Sequence, residues 1–233
     1  MTALRPLSAR SVLLSLLLGA HPAEMSAAAL VGVATDLGLS ESSVRVALTR
    51  LVAAGDLTRD ASVHRLSPRL LDRQRHQDEA LDPEVVVWDG SWEIVTVTAP
   101  AGRSPESRAD LRAQLAALRL AELREGVWLR PANLARPVEV PDVTRFVGRP
   151  DDDPHELAAR LWNLDAWATT GHDLITSLDS PDPLGQMTAA AAIVRHLRID
   201  PVLPPSLRPP SWPALHDAYS SYKHHLTSGI TSL

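Results

Sequence analysis

The sequence predicts an α+β protein built from an N-terminal winged helix-turn-helix, a middle ferredoxin-like α+β domain and a helical C-terminal domain. Three observations predict it. Two apolar stripes at helical spacing, one over 27–37 and one over 44–52, are separated by Gly38-Leu39-Ser40 and followed by a short basic stretch ending near Ser67. A pattern of strand, helix, strand and strand occupies 85–150. From His155 onward the apolar spacing is helical, interrupted by prolines. The boundaries that follow are 1–67 for the winged helix, 68–84 for a linker helix, 85–150 for the middle domain and 151–233 for the helical domain.

The first element is a buried helix starting near Ser8. Its apolar run, Val12–Ala20, follows Arg5 and Arg10 and so resembles a secretory signal. The run is too short to span a membrane as a helix. Cleavage near Ala27–Ala29 would remove this helix and cut into the next one, so a cytoplasmic protein is expected. Ser26 can cap the second helix, whose inward positions are Ala27, Leu30, Val31, Ala34 and Leu37. Gly38 suits the left-handed backbone that ends a helix. Leu39 is the apolar turn residue and Ser40 the next cap. In the third helix Val44, Ala47, Leu48, Leu51 and Val52 face one way. Ser42, Ser43, Arg45, Val46, Thr49 and Arg50 face the other. Gly55 ends the helix. Leu57-Thr58-Arg59 and Val63–Leu66 then form a hairpin about a turn at Asp60-Ala61-Ser62.

A helix that presents small polar residues and arginines outward fits a DNA major groove, where its first residues meet base edges. Arg45 and Thr49, with Ser42 and Ser43 at the helix start, are the candidates for base contacts. Arg50, Arg59, His64 and Arg65 are the candidates for phosphate or minor-groove contact. Charge distribution agrees. The chain as a whole carries −5, yet residues 1–75 hold nine Arg against six Asp or Glu, a balance of +3, and the remainder carries −8. A basic N-terminal part on an acidic body suits a DNA reader with a separate regulatory part. With no Cys, disulfides and thiolate metal sites are excluded.

Downstream, Pro68–Ala80 reads as an arginine-rich linker helix and Glu93–Thr98 as a strand. A helix entered through Pro105 runs to about Ala121. Gly126–Pro131 and Val143–Val147 read as further strands. Helices are expected over Leu157–Thr170, Asp173–Leu178 and Leu184–Leu197, and a last one over Ala214–Leu226.

Taken together, Ser40–Leu51, Trp88-Asp89-Gly90-Ser91-Trp92, Gly126-Val127-Trp128-Leu129-Arg130-Pro131, Trp162-Asn163-Leu164-Asp165, Asp200–Pro205 and Trp212-Pro213 resemble the PaaX family of bacterial transcriptional regulators in order and spacing. Members of that family are best known for repressing phenylacetate catabolism genes. The resemblance implies a winged helix, a middle domain similar to the small CRISPR-associated nucleases, and a helical C-terminal domain. It also implies a homodimer on a palindromic double-stranded DNA operator, released by an aryl-acetyl coenzyme A thioester. Arg124, Arg130 and Arg145 are then candidates for the phosphates of an acyl-CoA effector, because guanidinium forks suit phosphate. Trp128 and Trp162 are candidates for its pocket.

No Ser-His-Asp set sits on a recognisable elbow, and no Gly-rich phosphate loop is present, so an enzyme is not expected and no cofactor is implied. Asp151-Asp152-Asp153 lies between prolines and reads as a solvated linker. His216 and His224 are about two turns apart on one helix, too far for joint metal ligation. The six tryptophans read as fillers of core and domain seams. Two alternatives stay open: a metal-dependent nuclease, for which Asp89 is the carboxylate near the first middle-domain strand, and a protein-interaction adaptor that keeps the winged helix as scaffold.

Overall fold

A computed structural model of the chain describes residues 4–98 and 104–231. It divides into two compact units. The first holds the chain up to Leu81 together with Gly171–Arg195 and the chain from Ala214; the second holds Asp82–Thr170 and His196–Pro213.

In the first unit, helix α1 (Ala9–Gly19) starts at Ser8, whose hydroxyl accepts from the Ser11 amide. A short strand β1 (Glu24–Ser26) leads directly into α2 (Ala27–Asp36), capped by Ser26. Gly38 takes φ +89 and turns the chain toward Ser40, which caps α3 (Glu41–Ala53). Strands β2 (Leu57–Asp60) and β3 (Val63–Leu66) form a hairpin, and β1 adds to it in the order β1-β3-β2. Helix α4 (Pro68–Leu81) follows. The apolar run of α1 is explained by packing: Val12, Leu13, Leu14, Leu16, Leu17 and Leu18 are all buried against Leu30, Val44, Leu48 and Leu51. Each such leucine contributes on the order of 1.5–3 kcal/mol. Gln74 of α4 donates its side-chain amide to the carbonyls of Leu18 (3.0 Å) and Ala20 (2.9 Å), which α1 leaves unpaired at its end.

In the second unit, β4 (Trp92–Val97), α5 (Pro105–Ala117), β5 (Ala121–Arg124), β6 (Val127–Pro131) and β7 (Val143–Gly148) make an antiparallel sheet in the order β5-β6-β4-β7. The succession follows the ferredoxin-like β-α-β-β-α-β unit, except that 132–142 hold no helix where the second would stand. The sheet has two covered faces. Val95 and Trp128 lie under Leu111, Leu115 and Leu118 of α5. Trp92 and Leu129 pack with Leu157 and Ala158 of α6 (Pro154–Leu161) and with Leu203 and Leu207.

The structure corrects two boundaries. The helix expected to run to Ala121 ends at Ala117 with Leu118 as its cap, and Ala121–Arg124 forms strand β5, which turns at Gly126 (φ +78) into β6. The expected helix over Leu157–Thr170 breaks at Trp162, whose backbone is extended, and α7 (Leu164–Leu178) restarts where the Asn163 side chain accepts from the Ala166 amide. That helix then continues through the gap expected before Asp173. Helices α8 (Pro183–Leu197) and α9 (Leu215–Thr231) follow. Asp153 of the acidic run caps α6.

Candidate nucleic-acid interface

Helix α3 is held by its inner face and open on its outer face. Val44, Ala47, Leu48 and Leu51 are buried, whereas Ser42, Ser43, Arg45, Val46, Thr49 and Arg50 are exposed along one side. Val46 is 49% exposed, a large apolar side chain that nothing in the unit covers. The Ser40 hydroxyl accepts from the Ser43 amide and donates to the Ser43 hydroxyl at 2.8 Å, so the first turn is rigid. Arg45 donates Nε to Glu41 Oε1 at 2.7 Å. Both partners are exposed and one turn apart, a pairing worth only about 0.3–0.5 kcal/mol. A ligand can therefore take the guanidinium from Glu41 at little cost. Thr49 Oγ1 donates to the Arg45 carbonyl at 3.1 Å.

The hairpin divides its candidates by strand parity. Leu57 pairs with Leu66, and Arg59 with His64, on the face that carries the core. Arg59 stands exposed at the tip and donates Nε to the Ala61 carbonyl at 2.8 Å. His64 is 4% exposed and its Nδ1 has no hydrogen-bond partner. Burial, and then the nearby Arg59, hold its imidazole below its ordinary value, so it is neutral. The expected surface contact by His64 is therefore corrected: its ring belongs to the core. The signal was present in the sequence, since His64 lies two residues before the apolar Leu66 and shares its face. Arg65 lies on the opposite face and donates to Glu24 at 2.5 Å and to Asp60 at 3.2 Å. These two carboxylates hold its guanidinium protonated.

A second buried polar group of this unit carries no sequence motif. Asp56, 3% exposed, follows α3 and accepts from Arg10 of α1 at 2.6 Å and from Arg69 of α4.

Three of the effector candidates share one face of the sheet, with Arg130 and Arg145 on the two oxygens of Glu93 and Trp128 beside them, whereas Arg124 and Trp162 lie elsewhere. Arg130 is 1% exposed. All of its donor nitrogens are used: Nε on Glu93, Nη1 on the Leu118 carbonyl at 2.7 Å and Nη2 on the Arg136 carbonyl at 2.6 Å. This corrects its expected phosphate role, since the guanidinium is buried and each of its nitrogens already serves a protein oxygen. Arg145 donates Nε to the other Glu93 oxygen at 2.7 Å. Trp128 is buried beneath α5. Trp162 packs on the other face of the sheet with Leu157 and Leu203. Arg124 is exposed at the end of β5.

The Trp88–Trp92 motif is a local turn. Asp89 Oδ1 accepts from the Ser91 amide and hydroxyl, Gly90 takes φ +92, and the Trp88 indole donates to the Ser91 carbonyl at 2.7 Å. The Ser91 bonds and then Arg149 lower the carboxyl of Asp89. Among the described residues no group of three or more His, Cys, Asp or Glu is placed to hold a metal, and no helix is long and apolar enough to cross a membrane.

Two family descriptions match the chain. Residues 8–73 match "PaaX-like protein" and residues 86–142 match "PaaX protein central Cas2-like domain". A solved structure of an uncharacterized protein from Mycobacterium tuberculosis is 43% identical, with 97% of this chain and 98% of that chain covered and a TM-score of 0.86. No curated protein matches.

Proposed function

Since the chain belongs to the PaaX family, we propose that it is a sequence-specific, double-stranded-DNA-binding transcriptional regulator. The observation that carries this reading is the outer face of α3, where Ser42, Ser43, Arg45, Val46, Thr49 and Arg50 stand exposed on a helix fixed by its other side. In this reading α2 and α3 are a helix-turn-helix and the β2–β3 hairpin is its wing. Arg45 and Thr49 read base edges, Val46 meets a thymine methyl, and Arg50, Arg59 and Arg65 hold phosphates. A homodimer sets two such helices in successive major grooves of a palindromic operator. The protein is a repressor, and an acyl-CoA type effector releases it by binding the DNA-free conformation more tightly.

The test is binding to DNA from the protein's own gene neighbourhood at two salt concentrations, with and without phenylacetyl coenzyme A. Tight, salt-sensitive, sequence-selective binding released by the thioester is expected. Selective binding that the thioester leaves unchanged removes the effector class and keeps the regulator. Equal affinity for neighbourhood and random DNA at low salt overturns the reading.

A further inference from the structure

The two edges of the middle sheet differ. Strand β5 is short and carries a bulge between Glu122 and Arg124, a feature that blunts an edge. Strand β7 holds no proline and pairs with β4 without a shift from Val143 to Gly148. Thr144, Arg145, Phe146 and Val147 are exposed in succession, so no described element covers this edge. One bond sets the parity of the ladder: the Thr98 amide donates to the Asp142 carbonyl at 2.9 Å, across the pair that continues the β4–β7 register. Hydrogen-bonded pairs alternate along an antiparallel ladder. Thr144 and Phe146 therefore turn their main-chain groups toward β4, while Val143, Arg145 and Val147 turn theirs outward.

Phe146, the chain's single Phe, is 54% exposed and Val147 is 53% exposed. Phe146 shares a face with Ile94 and Leu129, and Val147 shares the opposite face with Glu93. A helix laid on either face covers one of them and leaves the other in water. A strand added beside β7 covers both and takes up the outward main-chain groups. A second copy of β7 fits that place. Opposite residues of an antiparallel pair share a face, so a two-fold pairing is centred on one residue and its copy. Centring on Arg145 sets two Arg145 side chains against each other, and centring on Val147 sets Arg145 against Arg149; both place like charges opposite, which is unfavourable. Centring on Thr144 sets Phe146 against Asp142. Centring on Phe146 brings the two Phe rings together in a close, non-hydrogen-bonded pair and sets Arg145 against Val147, whose outward amides and carbonyls then bond across. Arg145 meanwhile keeps its charge compensated by Glu93.

We propose that β7 pairs antiparallel with β7 of a second copy of this chain, centred on Phe146, and so joins the two four-stranded sheets into one continuous sheet. This deepens the reading above, on which it rests for the homodimer; the surface and the register come from β7 itself.

The chain has no Cys, so a single introduced thiol reports on its own neighbour. Sedimentation of the full chain without DNA should give a dimer. Phe146→Glu should weaken self-association at least tenfold with an unchanged far-ultraviolet circular dichroism spectrum. After mild oxidation Phe146→Cys should form a covalent dimer, because its Cα lies about 4.5 Å from that of its copy, within disulfide reach. Val147→Cys should stay unlinked, because its copy lies two positions along the partner strand, about 8 Å away. A monomeric wild type, a dimer that Phe146→Glu leaves intact, no crosslink through Phe146→Cys, or one formed as readily through Val147→Cys overturns the proposal. Since no DNA is present, these failures leave selective DNA binding standing, and a loss of selective DNA binding leaves the strand pairing standing.

Discussion

Arg10 of α1 and Asp56, at the exit of α3, are joined by a 2.6 Å hydrogen bond in which the carboxylate is buried and the guanidinium mostly exposed. Arg69 of α4 meets the second oxygen of the same carboxylate, so one side chain links three helical segments of the first unit.

The asymmetry of burial sets the outcome of mutation. Asp56→Asn releases two guanidinium groups that water can solvate, and should cost about 1–2 kcal/mol. Changing both arginines to Met leaves a buried carboxylate without a cation and should cost about 3–5 kcal/mol. Urea unfolding of the two variants measures this. A larger loss in Asp56→Asn than in the double variant would show the assignment to be wrong.

Much of the first unit was legible because its signals are local. Ser8, Ser26 and Ser40 each sit one residue before a helix and each caps it. The hairpin followed from alternation. What was not legible depended on partners distant in sequence. Strand β5 is short, and its residues Ala121-Glu122-Leu123-Arg124 carry good helix propensity, so only pairing with β6 makes them a strand. Arg130 looks like a surface cation until Glu93 is placed opposite it on β4. The face of α3 was readable from periodicity alone, whereas the meeting of Arg130 and Arg145 on Glu93 depends on strand register, which no single motif reports.

Arg45 and Arg50 should separate into two kinds of DNA contact. Arg45→Ala should lower affinity for the operator by about 1–3 kcal/mol while leaving affinity for random DNA nearly unchanged. Arg50→Gln should weaken both alike and reduce the slope of log K against log salt by about one. Titrations of both variants on operator and random duplexes across a salt series check this. An equal loss on both DNAs for Arg45→Ala would remove it from base reading.

Burial of His64 makes stability depend on pH. Its folded value is lowered, by burial first and Arg59 second, from the ordinary 6.5. Above 6.5 neither the folded nor the unfolded chain holds the proton, and the neutral ring costs nothing extra. As pH falls below 6.5 the unfolded chain takes up a proton that the folded chain resists, so stability declines. Burial lowers His196 in the same direction. Urea melts at pH 7.5 and 5.5 should show this decline, and His64→Leu should make it smaller. An unchanged decline in that variant would mean that His64 titrates normally in the folded protein.

Arg130 and Arg124 tell a structural arginine from a ligand-facing one. Arg130→Met leaves Glu93, itself 3% exposed, with Arg145 as its remaining guanidinium partner and frees the Leu118 and Arg136 carbonyls from their donor. Removing one member of a buried ion pair costs about 3–5 kcal/mol, so this variant should melt markedly earlier than wild type. Arg124 is exposed on an edge strand, and Arg124→Gln should change stability by less than about 0.5 kcal/mol. Parallel thermal melts and acyl-CoA titrations decide between the roles. If Arg130→Met kept its melting temperature and lost only acyl-CoA affinity, its guanidinium would be ligand-facing after all, and the pairing with Glu93 would not be what holds β4 and β6 at that register.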